Sequence, residues 1–289
     1  MSVISGILVP LDGSDIAGRS LACAAWLASR LGAPLHVLYS GDPLPADQAL
    51  DRLSVPQEYR PSVVLHQTTG EPTAEILAAI ETYRIGLIVM TARGESAAGK
   101  TDSLLEPLGH VARGVAEQSP VPVLVLPRAY EERVPWRSGL VPLSGEVETD
   151  QSLMLALQLA QALDFDVTIA HVVPDTQAGQ AALPCADATH HECAEALNEL
   201  VARACPLCGQ AERQRIRDFR VYRGDVAREL LDLIDQKHFD VIIVGWHGLL
   251  EAGHAQVLKN LLQRLHCPML LVKRQPREPF RLKVGDALV

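Results

Sequence analysis

The amino-acid sequence predicts an α/β protein of two tandem, doubly wound domains, each a five-stranded parallel sheet with helices on both faces. The first observation is an internal repeat: residues 4–14 end in Val-Pro-Leu-Asp-Gly-Ser before a helical pattern, and residues 136–145 end in Val-Pro-Leu-Ser-Gly before another. The second is a series of short, continuous apolar runs between helical patterns, which is typical of parallel strands buried on both faces. The 289 residues are enough for two domains that each bury a core.

Strand and helix patterns alternate through the first half. Strands are predicted at residues 4–11, 34–40, 62–67, 86–91 and 122–127. Helices are predicted at residues 14–31, 46–53, 71–83 and 103–118. This alternation predicts right-handed crossovers between parallel strands.

The second half repeats the alternation. Strands are predicted at residues 138–143, 166–173, 218–223, 240–245 and 269–273. Helices are predicted at residues 150–163, 187–204, 225–236 and 255–265.

The repeat also predicts the domain boundaries. The predicted division is a first domain at residues 1–128, a linker at 129–136, a second domain at 137–274 and a tail at 275–289. The linker is rich in charge, and the tail has charge and proline without helical or strand periodicity.

Composition excludes several classes of protein. The formal net charge is −9 with both signs interspersed, so no electrostatic footprint for nucleic acid is present. No apolar run approaches the roughly 20 residues of a membrane span, and no basic region precedes the first apolar stretch. We therefore expect a cytoplasmic protein with neither a nucleic-acid nor a membrane partner.

A ligand crevice is predicted at one edge of each sheet. In open parallel sheets, ligands bind beyond the carboxyl ends of the strands, where the winding reverses. The first and fourth strands of each half should flank that point. In the first half, the residues that follow these strands are Asp12-Gly-Ser14 and Met90-Thr-Ala-Arg-Gly94.

These residues, together with several others, resemble the universal stress protein family. The matching segments are Val9-Pro-Leu-Asp12-Gly-Ser14, His36-Val37, Ile88-Val-Met90 with Gly94, Gly109-His-Val-Ala112 and Pro120-Val-Pro-Val-Leu-Val. The resemblance covers both halves, so the chain looks like a tandem member. It implies an adenine nucleotide alpha hydrolase-like fold, binding of ATP or another adenine nucleotide, and pairing of the last strands in an internal pseudo-dimer.

The resemblance also assigns roles to residues of the first half. Pro10, Leu11 and Asp12 follow the first strand, and Asp12 matches the acid that contacts the ribose. Val37 matches the backbone position that faces adenine. Met90 matches the residue before the nucleotide loop.

The loop itself departs from the family pattern. Gly94 and Gly109 keep two of its glycines, but Thr91 replaces the first, and His110 stands where Ser or Thr is expected. Fourteen residues separate Gly94 from Gly109, which is a longer gap than the family has.

The extra length contains a phosphate-binding pattern, Gly-Glu-Ser-Ala-Ala-Gly99-Lys100-Thr101. Small residues let backbone N–H groups approach phosphate, and a lysine adds a full positive charge. Three interpretations stay open: a family-type nucleotide loop assisted by Lys100, a true P-loop, and a loop that binds nothing. The P-loop lacks an acidic strand end to hold Mg²⁺ in this half.

The second half has lost more of the pattern. Ser144 stands in the place of Asp12, and Ala255-Gln256 stands in the place of the third glycine and its hydroxyl residue. Gly245-Trp-His-Gly248 keeps two glycines, but Trp246 is bulky for a phosphate-binding turn. We expect no nucleotide here, and a role in structure, dimerisation or another site.

A cysteine and histidine cluster lies within the second half. His190 and Cys193 lie near the start of the helix predicted at residues 187–204, and Cys205-Pro-Leu-Cys208-Gly follows that helix, as in a zinc knuckle. A Cys₃His set suits zinc. If one helix joins the two pairs, however, they lie about 18 Å apart at ~1.5 Å per residue. A redox dithiol and inert cysteines therefore stay open beside zinc.

The function predicted from these features is a stress-response or regulatory protein that binds an adenine nucleotide in the first domain only. No catalytic constellation stands out, and we expect slow ATP hydrolysis at most, with Lys100 and His110 near the phosphates. The alternative is a zinc- or redox-sensing module with no nucleotide bound. Two chains could also associate as a homodimer.

Overall fold

The computed structural model describes residues 4–93, 107–130, 133–143, 150–173, 209–250 and 255–273. Its first half contains β1 (Ile7–Pro10), α1 (Asp15–Leu31), β2 (Leu35–Ser40), α2 (Ala46–Arg52), a 3₁₀ turn (Arg60–Ser62), β3 (Val63–Thr68), α3 (Pro72–Thr82), β4 (Leu87–Thr91), α4 (His110–Gln118) and β5 (Val123–Leu126). All five predicted strands of this half are present.

The helix predicted at residues 103–118 begins later than expected. Helix α4 starts at His110, and residues 107–109 are not helical. Gly109 is its N-cap, with φ −69° and ψ 166°. Pro107 disfavours helical geometry in the residue before it, so Pro107 and Gly109 together mark the boundary that the apolar pattern alone obscured.

The second half contains β6 (Ser138–Leu143), α5 (Asp150–Leu163), β7 (Asp166–Val173), α6 (Gln210–Arg213), β8 (Ile216–Arg223), α7 (Val226–Lys237), β9 (Val241–Trp246), α8 (Gln256–Arg264) and β10 (Met269–Lys273). All five strands are again present. The helix predicted at residues 187–204 lies outside the described residues.

All ten strands form one sheet in the order β3-β2-β1-β4-β5-β10-β9-β6-β7-β8. Within each half every strand pair is parallel, whereas β5 and β10 are antiparallel, with Leu124 opposite Leu270. The doubly wound α/β prediction and the predicted pairing of the last strands are confirmed. The first and fourth strands of each half are neighbours, since β1 pairs with β4 and β6 pairs with β9.

Helices cover both faces of the sheet. On one face α1 and α5 share a core cluster that includes Leu21, Leu27, Leu153 and Leu157. On the other face, buried residues of α3, α4, α7 and α8 form a second cluster. Because each cluster draws residues from both halves, their burial stabilises the junction as well as each half.

Aromatic rings also pack across the junction. Trp26 of α1 meets Trp136, which precedes β6, with ring centroids 5.0 Å apart. Trp136 in turn meets Phe165 edge-on at 6.1 Å. These edge-to-face contacts link the first helix of one half to the first strands of the other.

Candidate functional site

A cleft lies at the carboxyl ends of β1 and β4, where the sequence predicted a ligand crevice. Its cavity volume is about 200 Å³. The cleft is lined by Pro10, Leu11, Asp12, Ala17, Leu38, Ser40, Pro72, Ile76, Met90, Thr91, Arg93, Gly109, His110, Val111 and Ala112. The ends of three strands (β1, β2 and β4) and the N-terminal turns of three helices (α1, α3 and α4) therefore surround it.

The turn after β1 positions Asp12. Leu11 donates its N–H to the carbonyl of Leu38 at 2.9 Å, which holds the end of β1 against β2. Gly13 then has φ +86°, a conformation that favours glycine. This turn brings the exposed carboxylate of Asp12 to the mouth of the cleft.

Ser14 orients the Asp12 carboxylate. Asp12 Oδ1 accepts hydrogen bonds from Ser14 N at 3.0 Å and from Ser14 Oγ at 2.6 Å. Ser14 Oγ also accepts from Ala17 N at 3.1 Å and so caps α1. The second carboxylate oxygen, Oδ2, has no hydrogen-bond partner among the described residues. It is available to accept hydrogen bonds from ligand hydroxyl groups.

The floor of the cleft is apolar. Leu38, Ile76 and Met90 are buried, at 2%, 1% and 6% exposed, and Ala112 of α4 adds only a methyl group. A flat, apolar ring system would fit such a surface, since ligand sites combine apolar walls with a few oriented polar groups.

The N-terminus of α4 faces the same space. Gly109 donates its N–H to the carbonyl of Ala92 at 2.8 Å, which anchors the start of the helix behind β4. Gly109, the N-cap, has no side chain that could cap the helix. The N–H groups of the first turn lack intrahelical partners, and His110 and Arg93 line the cleft beside them. This end of the cleft suits an anion.

Thr91 fits its position without strain. It is the last residue of β4 and is 8% exposed, and its Oγ1 donates to the carbonyl of Arg93 at 3.1 Å. Thr91 is not among the residues with positive φ. A β-branched residue is therefore compatible with the backbone here.

The cleft brings together six of the predicted site residues: Pro10, Leu11, Asp12, Met90, Gly109 and His110. Val37 is fully buried in the opposite core cluster and does not line the cleft; its neighbour Leu38 does. Gly94, Gly99, Lys100 and Thr101 lie outside the described residues.

Sequence analysis missed the walls that α3 and α4 supply. Pro72 and Ile76 come from the start of α3, and Ala112 comes from the first turn of α4. A usable signal was the position of Pro72, since proline at the first turn of a helix marks an N-terminus that follows a strand end. No local sequence signal indicates how closely α4 packs against β4.

The second half has larger side chains at two positions that correspond to alanines of the first half. Leu8 pairs with Ile88, and Leu140 pairs with Ile242, so Ala92 corresponds to Trp246 four residues further on. Trp246 is 7% exposed and lies in the core cluster. Leu258, which corresponds to Ala112, is 4% exposed in the same cluster. Ser144 lies outside the described residues.

The predicted metal ligands cannot be placed. His190, Cys193, Cys205 and Cys208 all lie outside the described residues, so the zinc, redox and inert interpretations stay predictions. Among the residues that are described, no group of three or more His, Cys, Asp or Glu side chains could hold a metal ion. Burial raises the pKa of the free Cys267 thiol to about 12, which keeps it protonated.

Across the described ranges, no helix has the length and apolar character that crossing a membrane requires.

The chain is similar to known proteins in both sequence and fold. The sequence profile of the "Universal stress protein family" matches residues 5–60, 46–127 and 136–273. Among solved structures, a universal stress protein from Archaeoglobus fulgidus is 17% identical with a TM-score of 0.63, over 96% of this chain and 98% of that chain.

Two structures from Pseudomonas aeruginosa are equally similar. One is described as a putative universal stress protein and the other as a functionally unknown protein. Both are 17% identical with TM-scores of 0.64; the first covers 94% of each chain, and the second covers 94% of this chain and 93% of that one. At this identity they show the fold alone. No curated protein sequence matches the chain.

Proposed function

The chain belongs to the universal stress protein family, and from this premise we propose that it is a stress-response or regulatory protein that binds an adenine nucleotide in its first half only. The proposal treats residues 1–128 and 137–274 as the two domains, joined by a linker at 129–136, with a tail at 275–289. The two domains act as an internal pseudo-dimer through β5 and β10.

One observation carries the proposal: the first half has a cleft where the second half has side chains. Ala112 of α4 lines the cleft with only a methyl group, whereas Leu258 of α8 is buried in a core cluster at the corresponding position. Because the backbone topology is the same on both sides, the difference lies in side-chain volume. The first half is suited to a ligand and the second to packing.

Each part of the cleft suits one part of a nucleotide. The apolar floor of Leu38, Ile76 and Met90 accepts the adenine ring. Asp12, with its free Oδ2, accepts hydrogen bonds from ribose hydroxyls. The uncapped N-terminus of α4, assisted by His110, carries partial positive charge toward the phosphates.

Asp12→Asn tests the ribose contact. The amide oxygen can still accept the two hydrogen bonds from Ser14, so the turn is retained while the negative charge is lost. A hydrogen bond to a charged group contributes about 1.5–3 kcal/mol, so we expect adenosine monophosphate to bind roughly tenfold to a hundredfold more weakly by isothermal titration calorimetry.

Asp15→Asn is the matched control. Asp15 is exposed three residues further on, in the first turn of α1, and does not line the cleft. Its substitution removes the same charge and should leave the affinity unchanged. Equal affinities of the wild-type and Asp12→Asn proteins would contradict the assignment of Asp12.

A further inference from the structure

A second groove, the junction groove, lies where the two half-sheets meet. Its volume is about 650 Å³, and Arg93, Arg128, Arg264 and His266 line it together with apolar side chains and prolines. Arg128 follows β5, Arg264 is the last residue of α8, and His266 lies between α8 and β10. The groove is thus built on the antiparallel pair that joins the halves.

The junction groove is basic in an acidic protein. The chain has 26 Lys and Arg residues against 35 Asp and Glu residues, yet no carboxylate lies among the described lining residues of the groove. Arg128 and Arg264 are exposed, and their guanidinium groups form no ion pair with the described residues. The carbonyl of Arg128 accepts a hydrogen bond from Arg19 Nη1 at 3.2 Å, which fixes the main chain there.

The fold alone does not produce this charge. The β5–β10 register places Val123 opposite Leu271 and Val125 opposite Met269, so the halves are related by a pseudo-twofold axis at Leu124 and Leu270. On the other side of that axis, Glu117, Gln118 and Pro120 take the places of Gln263, Arg264 and His266.

The pseudo-symmetric side is closed by protein groups. Glu117 Oε1 accepts the N–H of Leu250 at 2.9 Å, and the carbonyl of Glu117 accepts a hydrogen bond from Lys273 Nζ. On that side, both the Glu117 carboxylate and the Lys273 ammonium group have hydrogen-bond partners within the chain. On the side of the junction groove, the basic groups of Arg128 and Arg264 have no such partner among the described residues.

Arg93 connects the two cavities, because it lines both the cleft and the junction groove. We propose that the junction groove binds a phosphate-bearing anion, held by Arg128, Arg264 and His266. Guanidinium groups match phosphate in charge and geometry, since they donate paired hydrogen bonds to its oxygens. The phosphate belongs either to the polyphosphate tail of a nucleotide in the cleft or to a separate anion.

Of the two sources, only the polyphosphate tail of a nucleotide rests on the proposed function. A separate anion would bind even if the cleft held no nucleotide. Inorganic tripolyphosphate is therefore the first probe, because it has the anionic chemistry without adenine or ribose.

The test is calorimetric titration of the full chain with tripolyphosphate, adenosine triphosphate and adenosine monophosphate. The variant is the double substitution Arg128→Gln and Arg264→Gln. Its control is Arg217→Gln, because Arg217 is an exposed residue of β8 at the far edge of the sheet. We expect the double variant to bind tripolyphosphate at least about tenfold more weakly, as expected when charge-assisted hydrogen bonds are lost. The control should bind as the wild type does.

The nucleotides identify the source of the phosphate. If the double variant also loses affinity for the triphosphate but keeps it for the monophosphate, the groove holds the nucleotide's tail. If only tripolyphosphate binding falls, the groove holds a separate anion. Unchanged tripolyphosphate binding would overturn the proposal, as would an equal loss in Arg217→Gln. Failure of monophosphate binding in the wild type would instead count against the proposed function.

Discussion

The two halves of the chain share a topology but differ in the side chains that they place at corresponding positions beyond the strand ends. Both halves use five parallel strands with the first beside the fourth. Beyond those strands the first half has a cleft lined by Ala112 of α4, whereas the second half has Leu258 of α8 buried in a core cluster at the corresponding position. The comparison teaches that two copies of one topology can carry side chains of different volume at corresponding positions, which is the basis for the proposal that only the first half binds a nucleotide.

The largest effect is expected from Trp246→Ala. Trp246 is buried in a core cluster, so removal of its indole leaves a cavity and should lower the free energy of unfolding by about 3–5 kcal/mol. Chemical denaturation of the two proteins measures this difference.

Trp246→Phe is the matched control. The indole Nε1 has no hydrogen-bond partner among the described residues, so a phenyl ring retains most of the packing. We expect a loss of under about 1.5 kcal/mol. A Trp246→Ala protein as stable as the wild type would show that the second half does not use this space for packing.

A smaller effect is expected at the cap of α3 and its counterpart α7. Asp225 Oδ1 accepts from Arg228 N at 2.9 Å, and Glu71 Oε2 accepts from Ala74 N at 2.8 Å. Asp225→Ala should cost about 1 kcal/mol of unfolding free energy. Glu71→Ala should cost less, because the longer glutamate side chain loses more rotamer freedom in the same contact. Thermal denaturation of both variants measures the two losses of stability. A larger loss for Glu71→Ala than for Asp225→Ala would contradict this account of the caps.

The smallest effect is a pH dependence confined to the outer strands of the first half. His36 Nδ1 and His66 Nε2 lie 2.9 Å apart, and Tyr83 of α3 stacks on His66 at 3.7 Å. Burial lowers the pKa of His36; burial, followed by the charge of His36, lowers the pKa of His66. The corresponding register positions in the second half are Thr168 and Arg220.

The direction follows from proton linkage. The unfolded chain takes up these protons near the ordinary histidine pKa of about 6.5, and the folded chain only at lower pH. The free energy of unfolding should therefore fall as the pH drops below that value. His66→Gln should make this fall shallower between pH 7.5 and 5.5, whereas a slope equal to that of the wild type would exclude the pair as its source.

The central strands could be predicted because they are apolar runs buried on both faces, as in residues 86–91 and 240–245, whereas the edge strands β3 and β8 are only partly buried. The pairing of β5 with β10 came from the family resemblance, since nothing in the pattern of either strand indicates its partner. Helix α6 has only four residues, too few for a periodic pattern. Sequence analysis therefore predicts elements better than it predicts their neighbours.

Only part of the candidate site could be predicted, because the sequence indicates where an element ends but not which elements pack beside it. Asp12, Met90 and Gly109 follow strands or begin a helix, so their positions can be read from local pattern. Ile76 and Ala112 reach the cleft only through the packing of α3 and α4 against the sheet. The burial of Trp246 in a core cluster is likewise a tertiary property, and the expectation that no nucleotide binds in the second half stays a prediction.

The most direct test of the central claim is the number of adenine nucleotides bound per chain, measured by native mass spectrometry of the full protein. The account predicts one adenosine monophosphate per wild-type chain and none in Ala112→Leu, which gives the first half the side chain that Leu258 supplies in the second. The reciprocal Leu258→Ala protein should still bind one. Two nucleotides per wild-type chain, or one that persists in Ala112→Leu, would contradict the account.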